Sequence, residues 1–230
     1  MVAIRMFENR AENKEKIMSD TTLILAHGAG APADSEFMER LAAALATEGV
    51  HSVRFEFPYM ERRRADGRKR PPDRQPALLS QFRAVVRQIL EERGGRVFVG
   101  GKSMGGRMAS YLASEPDMSD SLNGCVCFGY PFHPPSRPER WRVDQFGRFC
   151  CPVLIVQGTR DPFGKQDEVS HCQALSGTNV RLHWLEGGNH DFVPLARQPE
   201  TRDSLTRQAA QAAAAFMVGQ SSFPVAAQGA

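Results

Sequence analysis

The sequence lacks the segments that mark membrane, secreted or disordered proteins. No apolar run approaches the ~18 residues of a membrane span, and the longest candidates are as short as residues 153–156. Residues 1–16 carry charges where a signal peptide needs its apolar segment. Hydrophobic residues make up 41% and charged residues 24%, which excludes wholesale disorder and coiled coil. We therefore expect a globular, cytoplasmic protein without a membrane partner.

The cysteines and histidines form neither a disulfide framework nor a metal site. The five cysteines are an odd number and include no CxxC pair. Cys125 and Cys127 flank one residue of an apolar run, so strand alternation directs both side chains to one face as buried thiols. Cys150 and Cys151 could form a strained vicinal disulfide, although a reduced pair is the simpler interpretation. The six histidines show no HxxxH spacing, so no metal is predicted.

Positive charge is concentrated in one short segment. The net charge of the 230 residues is +3. Residues 61–74 hold seven basic and three acidic side chains and carry +4, so the rest of the chain carries −1. A nucleic-acid-binding domain normally has a broad basic face. No nucleic-acid partner is therefore predicted.

Short apolar runs alternate with longer amphipathic stretches, which is the pattern of βαβ units and a parallel sheet. Six strands, near-continuously apolar or β-branched and therefore covered on both faces, are predicted at residues 22–26, 53–57, 97–100, 124–128, 153–157 and 181–185. Helical spacing and end signals predict four helices, between residues 34 and 49, over 75–93, from 104 to the residue before Pro116, and over 201–218. The expected fold is α/β, with helices on both faces of the sheet.

One domain over residues 20–218 accounts for this pattern. Residues 1–19 are predicted to be an N-terminal extension outside the domain, either not native or disordered, of which residues 1–17 are dispensable and Met18 is a candidate initiator. The alternative is a short ordered strand within residues 2–7. Residues 219–230 have neither periodicity nor charge and are predicted to be a flexible tail. Residues 130–148 are rich in proline and aromatic residues but too few for a separate domain. They could form only part of a small lid, so little or no lid is expected.

Residues 101–105 read Gly-Lys-Ser-Met-Gly, a G-x-S-x-G motif between a predicted strand and a predicted helix. This is the context of a nucleophile elbow, in which a sharp turn strains the serine backbone and small residues on both sides avoid clashes. The helix N-terminus also places backbone N–H groups beside Ser103. A phosphate-binding loop would need glycine at position 96, which is arginine. Ser103 is therefore the candidate nucleophile.

Two further side chains complete a catalytic set with Ser103. A serine hydroxyl needs a general base, and the base needs an orienting acid. On a doubly wound sheet these groups follow the carboxyl ends of strands. Asp161 follows the strand over 153–157 and His190 follows the strand over 181–185. The chain order Ser103, Asp161, His190 is that of α/β hydrolases; Glu186 or Asp167 could replace Asp161 as the acid.

The glycine-rich residues 28–33 allow two interpretations. They match a relaxed dinucleotide fingerprint after a strand, with Glu56 as the ribose-binding acid. Against this, Glu56 lies inside an apolar run and not at a clear strand end. The same segment stands where an α/β hydrolase forms half of its oxyanion hole, with the N–H groups of Ala29 and Met104 as donors. We prefer the second interpretation, which requires no cofactor.

Several residues near these strand ends are candidate substrate contacts. His133 follows the strand that ends at Phe128, and Tyr59 follows the strand over 53–57. Arg107 lies on the helix after the motif. The basic residues 62–74 are expected to form a loop near the mouth of the site, where arginines recruit an anionic acyl substrate; the alternative is a solvated loop. His183 lies within a strand and is expected to be packed, while His51 and His171 are expected at the surface.

Six segments together resemble a known family. The chain resembles a compact α/β-hydrolase family related to dienelactone hydrolases, and it is similar to the hydrolase-like domain of a chromatin acetyltransferase complex subunit and its small testis-expressed relative. The resemblance, over about residues 20–218, is carried by LAHGAGAPADSEFM (25–38), VRFEFPYMERRRADGRKRPPDR (53–74), GGKSMGGRMAS (100–110), GYPFHPP (129–135), QGTRDPFG (157–164) and HWLEGGNHDF (183–192). It implies the fold and the roles of Ser103, Asp161 and His190.

The resemblance does not transfer the dienelactone hydrolase reaction, because those enzymes use cysteine where this chain has Ser103. The predicted function is a serine hydrolase that acts on a small carboxylic ester or thioester, anionic or neutral, through an acyl-enzyme. The alternative is a non-catalytic interaction module, since some relatives with this fold serve as one. A monomer or homodimer is expected.

Overall fold

The computed structural model describes residues 4–9 and 20–219. Its described residues form a seven-stranded sheet in the order β1-β3-β2-β4-β5-β6-β7, and every neighbouring pair is parallel except β1 and β3. The strands are β1 (Met6–Asn9), β2 (Thr21–Ala26), β3 (His51–Phe55), β4 (Arg96–Lys102), β5 (Gly124–Phe128), β6 (Val153–Gly158) and β7 (Val180–Leu185). The chain leaves β2 toward one edge and returns to β4 on the other side, so the strand order reverses between β2 and β4. Ligand sites in such sheets lie at this reversal, outside the carboxyl ends of the strands.

Helices cover both faces of the sheet. They are α1 (Glu36–Thr47), α2 (Pro58–Asp66), α3 (Gln75–Arg93), α4 (Met104–Leu112), α5 (Gln166–Ser170) and α6 (Arg202–Gly219), with short 3₁₀ turns at Pro116–Met118, Phe146–Arg148 and Gln173–Leu175. The helices α1 and α6 pack on one face around Leu41 and Ala209. On the other face, α3 and α4 pack around Phe82 and Met108. Within the described residues, no helix is both long and apolar enough to cross a bilayer.

The predicted α/β fold and all six predicted strands are confirmed, and one further strand lies at the edge of the sheet. Residues 6–9 form this seventh strand, which overlaps the alternative of a short strand within residues 2–7, although residues 1–19 were expected outside the domain. This strand pairs antiparallel with β3, Met6 opposite Phe55 and Asn9 opposite Ser52. Residues 1–3, 10–19 and 220–230 lie outside the described residues, and with them Met18 and the predicted tail beyond Gly219.

The basic segment also differs from the prediction. Residues 58–66 form helix α2 and not a loop, and only residues 67–74 connect it to α3. Pro58 stands in the first turn, where its missing N–H costs nothing. Gly67 ends the helix with φ of 69°, the left-handed conformation that glycine adopts without strain. The preceding strand accordingly ends at Phe55 and not at Phe57.

Candidate active site

The turn between β4 and α4 has the backbone of a nucleophile elbow. Ser103 adopts φ of 53° and ψ of −114°, a region that is strained for any residue with a Cβ. A Cβ on Gly101 would lie 2.4 Å from the carbonyl oxygen of Ala26, and one on Gly105 would lie 2.2 Å from it. Both positions therefore need glycine, because the end of β2 crosses the turn too closely for a side chain. The Ser103 N–H donates to the carbonyl of Phe128 at 3.0 Å, which ties the elbow to the end of β5.

A buried carboxylate holds the candidate base. Asp161 is fully buried, and its Oδ2 lies 2.8 Å from Nδ1 of His190 and accepts a hydrogen bond from Gln157 Nε2 at 3.0 Å. Its Oδ1 accepts the N–H of Phe163 at 2.9 Å. Because the carboxylate can only accept, His190 carries its proton on Nδ1, and Nε2 is left to take a proton from a nucleophile. This is the orientation that a general base requires.

The elbow lies next to the Asp161–His190 pair at the edge of the sheet. Gly129 follows Phe128, whose carbonyl binds the Ser103 N–H. A Cβ on Gly129 would lie 3.3 Å from His190 Nδ1 and 3.2 Å from Lys102 Nζ. The structure thus joins Asp161 to His190 directly and brings Ser103 to the same place through the backbone of β5.

The loop after β2 is fixed beside the elbow by two buried side chains. His27 Nδ1 lies 2.7 Å from the carbonyl oxygen of Gly28, and its Nε2 accepts the N–H of Phe57 at 3.1 Å. These partners require a neutral ring with its proton on Nδ1, and burial lowers the pKa of His27 in agreement. The Tyr59 hydroxyl donates to the carbonyl of Ala29 at 3.0 Å. A Cβ on Gly28 would lie 3.9 Å from Cβ of Ser103, so the loop with Ala29 runs along the elbow.

A family model described as alpha/beta hydrolase domain matches residues 19–218. The chain belongs to this family. Among solved structures, it is similar to an alpha-beta serine hydrolase homologue from Coxiella burnetii, with 17% identity, a TM-score of 0.64 and coverage of 94% of this chain and 90% of that one. An a/b serine hydrolase without lid from Xanthomonas campestris shares 17% identity, with a TM-score of 0.66 over 96% of this chain and 91% of its own. A dienelactone hydrolase from Anabaena variabilis shares 17% identity, with a TM-score of 0.66 over 90% and 89%.

Of the three predicted substrate contacts of this hydrolase, the structure buries two. Tyr59 is fully buried, and its hydroxyl is bonded to the loop after β2. His133 is 2% exposed, and its Nε2 lies 3.3 Å from a carboxylate oxygen of Glu168 while its ring packs on Trp141. Neither side chain presents a surface to a substrate, so both support loops around the site. Arg107 is half-buried on α4, one turn after Ser103, whose carbonyl accepts the Arg107 N–H at 3.0 Å.

The position of Glu56 relative to its strand also differs from the prediction. It directly follows the end of β3, so the argument that placed it within a strand was wrong. Its carboxylate is nonetheless fully buried, accepts the N–H of Ala33 at 3.2 Å, and lies 2.8 Å and 2.9 Å from Nε of Arg64. Arg64 also contacts the carboxylate of Asp34. Both groups are occupied within the protein, so Glu56 does not face a ribose and Arg64 is not free to recruit a substrate.

Two residues that shape the site were missed by the sequence interpretation. Gln157 binds the Asp161 carboxylate and the carbonyl of Tyr130 from within β6. A glutamine at the end of an otherwise apolar strand was the available signal. Lys102 was considered only as part of a phosphate loop, yet its side chain is buried between the elbow and His190. No signal in the sequence distinguishes a lysine that turns inward at this position.

Proposed function

We propose that this hydrolase cleaves a carboxylic ester or thioester through an acyl-enzyme formed on Ser103. The observation that carries the proposal is the strained Ser103 backbone at the sheet edge that also holds the hydrogen-bonded pair of Asp161 and His190. Strain of this kind persists only where the surrounding structure enforces it, and it turns a serine side chain outward from a strand-to-helix turn. An ordinary glycine-rich connection would need neither the strain nor the buried carboxylate.

The proposed reaction uses the His190 tautomer that its hydrogen bond to Asp161 implies. Ser103 Oγ attacks the carbonyl carbon while His190 Nε2 takes the hydroxyl proton, and Asp161 stabilises the resulting imidazolium. The tetrahedral oxygen accepts hydrogen bonds from the N–H groups of Ala29 and Met104. His190 then gives its proton to the leaving alcohol or thiol, which departs as the acyl-enzyme forms. A water molecule then attacks the acyl carbon as His190 takes its proton, and His190 returns that proton to Ser103 Oγ as the bond between Oγ and the acyl carbon breaks and the acid leaves.

We further propose that the acyl or leaving group carries negative charge. Arg107 has a buried Nε without a hydrogen-bond partner among the described residues, and its guanidinium lies over the ring of Tyr111 at 5.5 Å. Burial and the nearby guanidinium of Arg107 lower the pKa of Arg142. Neither arginine has a carboxylate within 4 Å among residues 4–9 and 20–219. An arginine that is not already paired with a carboxylate suits an anion such as a carboxylate or phosphate, whose oxygens its planar guanidinium can bind in two places.

Labelling with a fluorophosphonate, followed by peptide mapping, tests the proposed function. The wild-type protein should be labelled on Ser103. Ser103→Ala should abolish labelling and lower kcat on an activated ester by several powers of ten while the fold is retained. Ser119→Ala, which changes an exposed serine after α4, is the matched control and should behave as the wild type.

The competing interpretation is a non-catalytic module with the same fold. It would follow from the narrower resemblance to the hydrolase-like domain of a chromatin acetyltransferase complex subunit. A folded wild-type protein that resists labelling and is inert to short activated esters and thioesters would favour that interpretation. Labelling at any residue other than Ser103 would contradict the assignment of the nucleophile.

A further inference from the structure

Lys102 extends a buried ammonium from the elbow to the turn that carries His190. Its Nζ donates to the carbonyl oxygen of His190 at 2.6 Å and lies 3.2 Å from a carboxylate oxygen of Asp191. The same ammonium lies 4.9 Å from the centroid of the Phe37 ring on α1. Only 6% of Lys102 is exposed. One side chain next to the nucleophile therefore holds the backbone of the candidate base.

Two glycines lie against the Lys102 side chain. A Cβ on Gly129 would lie 3.2 Å from Lys102 Nζ, and a Cβ on Gly28 would lie 3.7 Å from its Cγ. These two glycines belong to the exit of β5 and to the loop after β2. Lys102 thus lies beside three parts of the site: the elbow, the turn that carries His190, and the loop after β2 that holds Ala29.

Stabilisation of the folded protein does not explain why the Lys102 ammonium is buried. Desolvation lowers the pKa of Lys102, Arg202 on α6 acts in the same direction, and the carboxylates of Asp191 and Asp161 oppose them. The side chain of Asp191 is 57% exposed, so solvent weakens the one close ion pair. An apolar side chain of similar length is generally at least as stabilising in such a place. A buried cation here points to a role in the chemistry of the site.

We infer that Lys102 is a positioning residue of the hydrolase site. It fixes the turn that carries His190 through the His190 carbonyl, and it keeps a positive charge beside the Asp161–His190 pair. The inference rests on the proposed function. A nearby cation disfavours the imidazolium form of His190, whereas the carboxylate of Asp161, bonded to the ring, and that of the adjacent Asp191 favour it. Arg202 on α6 is a further cation that acts on Lys102. Loss of the Lys102 charge should therefore allow His190 to become protonated at a higher pH.

Lys102→Met keeps most of the length of the side chain and removes its charge. We expect kcat on an activated ester to fall about tenfold to a hundredfold, with KM changed less than about threefold, because a positioning residue acts on the base and not on the bound ester. The acid limb of kcat/KM against pH should move upward by about half to one pH unit. Lys102→Gln retains a donor toward His190 and loses the charge, so it should show the same pH shift with a smaller loss of kcat. Lys165→Met, at a lysine that is 54% exposed, is the matched control and should change nothing.

Titration of the histidine imidazoles by NMR provides a readout that needs no turnover. The resonance assigned to His190 by its loss in His190→Gln should titrate at a higher pH in both Lys102 variants than in the wild type. This measurement separates the two proposals, because it decides the role of Lys102 even if the wild type hydrolyses no ester. An unchanged acid limb and an unchanged His190 titration in a folded Lys102→Gln or Lys102→Met would overturn the inference and leave Lys102 with a packing role.

Discussion

Three histidines near the sheet edge differ in what their rings contact, and this difference predicts unequal effects of mutation. His190 bonds to buried Asp161. His133 is buried against Glu168, and His183 is half-buried on β7, where burial lowers its pKa. His190→Ala should lower kcat nearly as much as Ser103→Ala, and the double variant should lose little more, because members of a catalytic unit are not additive. His133→Ala and His183→Ala should retain kcat within about tenfold.

Steady-state kinetics on an activated ester, with urea unfolding of each variant, check this prediction. His133→Ala should lower the urea midpoint, since it opens a buried contact between the loop after β5 and α5. A larger loss of kcat in His133→Ala than in His190→Ala, at unchanged stability, would show that the base has been assigned to the wrong residue.

At the scale of single residues, the sequence predicts positions better than roles. Ser103, Asp161 and His190 could be placed because each follows a recognisable strand, and parallel strands bring their carboxyl ends to one edge. The role of Tyr59 could not be predicted, because its hydroxyl is directed by the carbonyl of Ala29, which is far away in sequence. Lys102 is similar, since its partner is the carbonyl of His190. A side chain that serves a distant backbone carbonyl leaves no pattern in its own neighbourhood.

At the scale of elements, the short edge strand β1 has a larger part than its four residues indicate. It covers Arg54, which is 6% exposed and donates to Asn9 Oδ1 at 2.9 Å and to the carbonyl of Ala33 at 2.9 Å. The guanidinium of Arg54 also lies over the ring of Phe7 at 5.6 Å. On the same strand, Glu8 pairs with Arg93. Removal of β1 would expose β3 as a new sheet edge and separate Arg54 from these partners.

We therefore predict that a chain beginning at Met18 is less stable by about 1–3 kcal/mol, contrary to the expectation that the extension is dispensable. Activity per folded molecule should be nearly unchanged, because β1 lies at the edge of the sheet and β3 and β2 separate it from the elbow strand β4. Urea unfolding and active-site titration with a fluorophosphonate measure the two quantities separately. An unchanged urea midpoint would show that β1 contributes nothing to the domain.

The sequence predicts β1 and α2 poorly because their apolar spacing is weak. The four residues of β1 follow no βα repeat, and their antiparallel pairing with β3 is not a feature of the βαβ pattern. Helix α2 buries only Tyr59 and Met60, so its charged residues show no apolar face. Pro58 and Gly67 stand at its two ends, and the charged residues between them favour the prediction of a solvated loop. Strands covered on both faces, such as β5 and β6, were found because their apolar runs are continuous.

At the scale of the whole molecule, the concentration of charge in residues 61–74 does not identify the groups that are free to meet a substrate. Arg62 pairs with Asp73 at 2.5 Å, Arg70 pairs with Asp66, and Arg64 is held by Glu56. Among the described residues, Arg107 and Arg142 outside this segment lack a carboxylate partner, as do Arg63, Arg68, Lys69 and Arg74 within it. The net charge of a segment is therefore a poorer guide to recognition than the pairing of each side chain.

An anionic substrate should consequently depend on Arg107 more than on Arg62, Arg64 and Arg70, whose guanidinium groups are already paired with carboxylates. For a carboxylate-bearing ester, kcat/KM should fall with added salt, because charges near the surface are screened over about 8–10 Å near physiological ionic strength. For a matched neutral ester it should stay nearly flat. Arg107→Gln should lower kcat/KM for the anionic ester about tenfold, the scale of one lost charged hydrogen bond, and should remove its salt dependence. Arg87→Gln, at an exposed arginine on α3, is the control and should leave both esters unaffected. Equal salt dependence of the two esters, unchanged by Arg107→Gln, would contradict the proposal that the substrate carries negative charge.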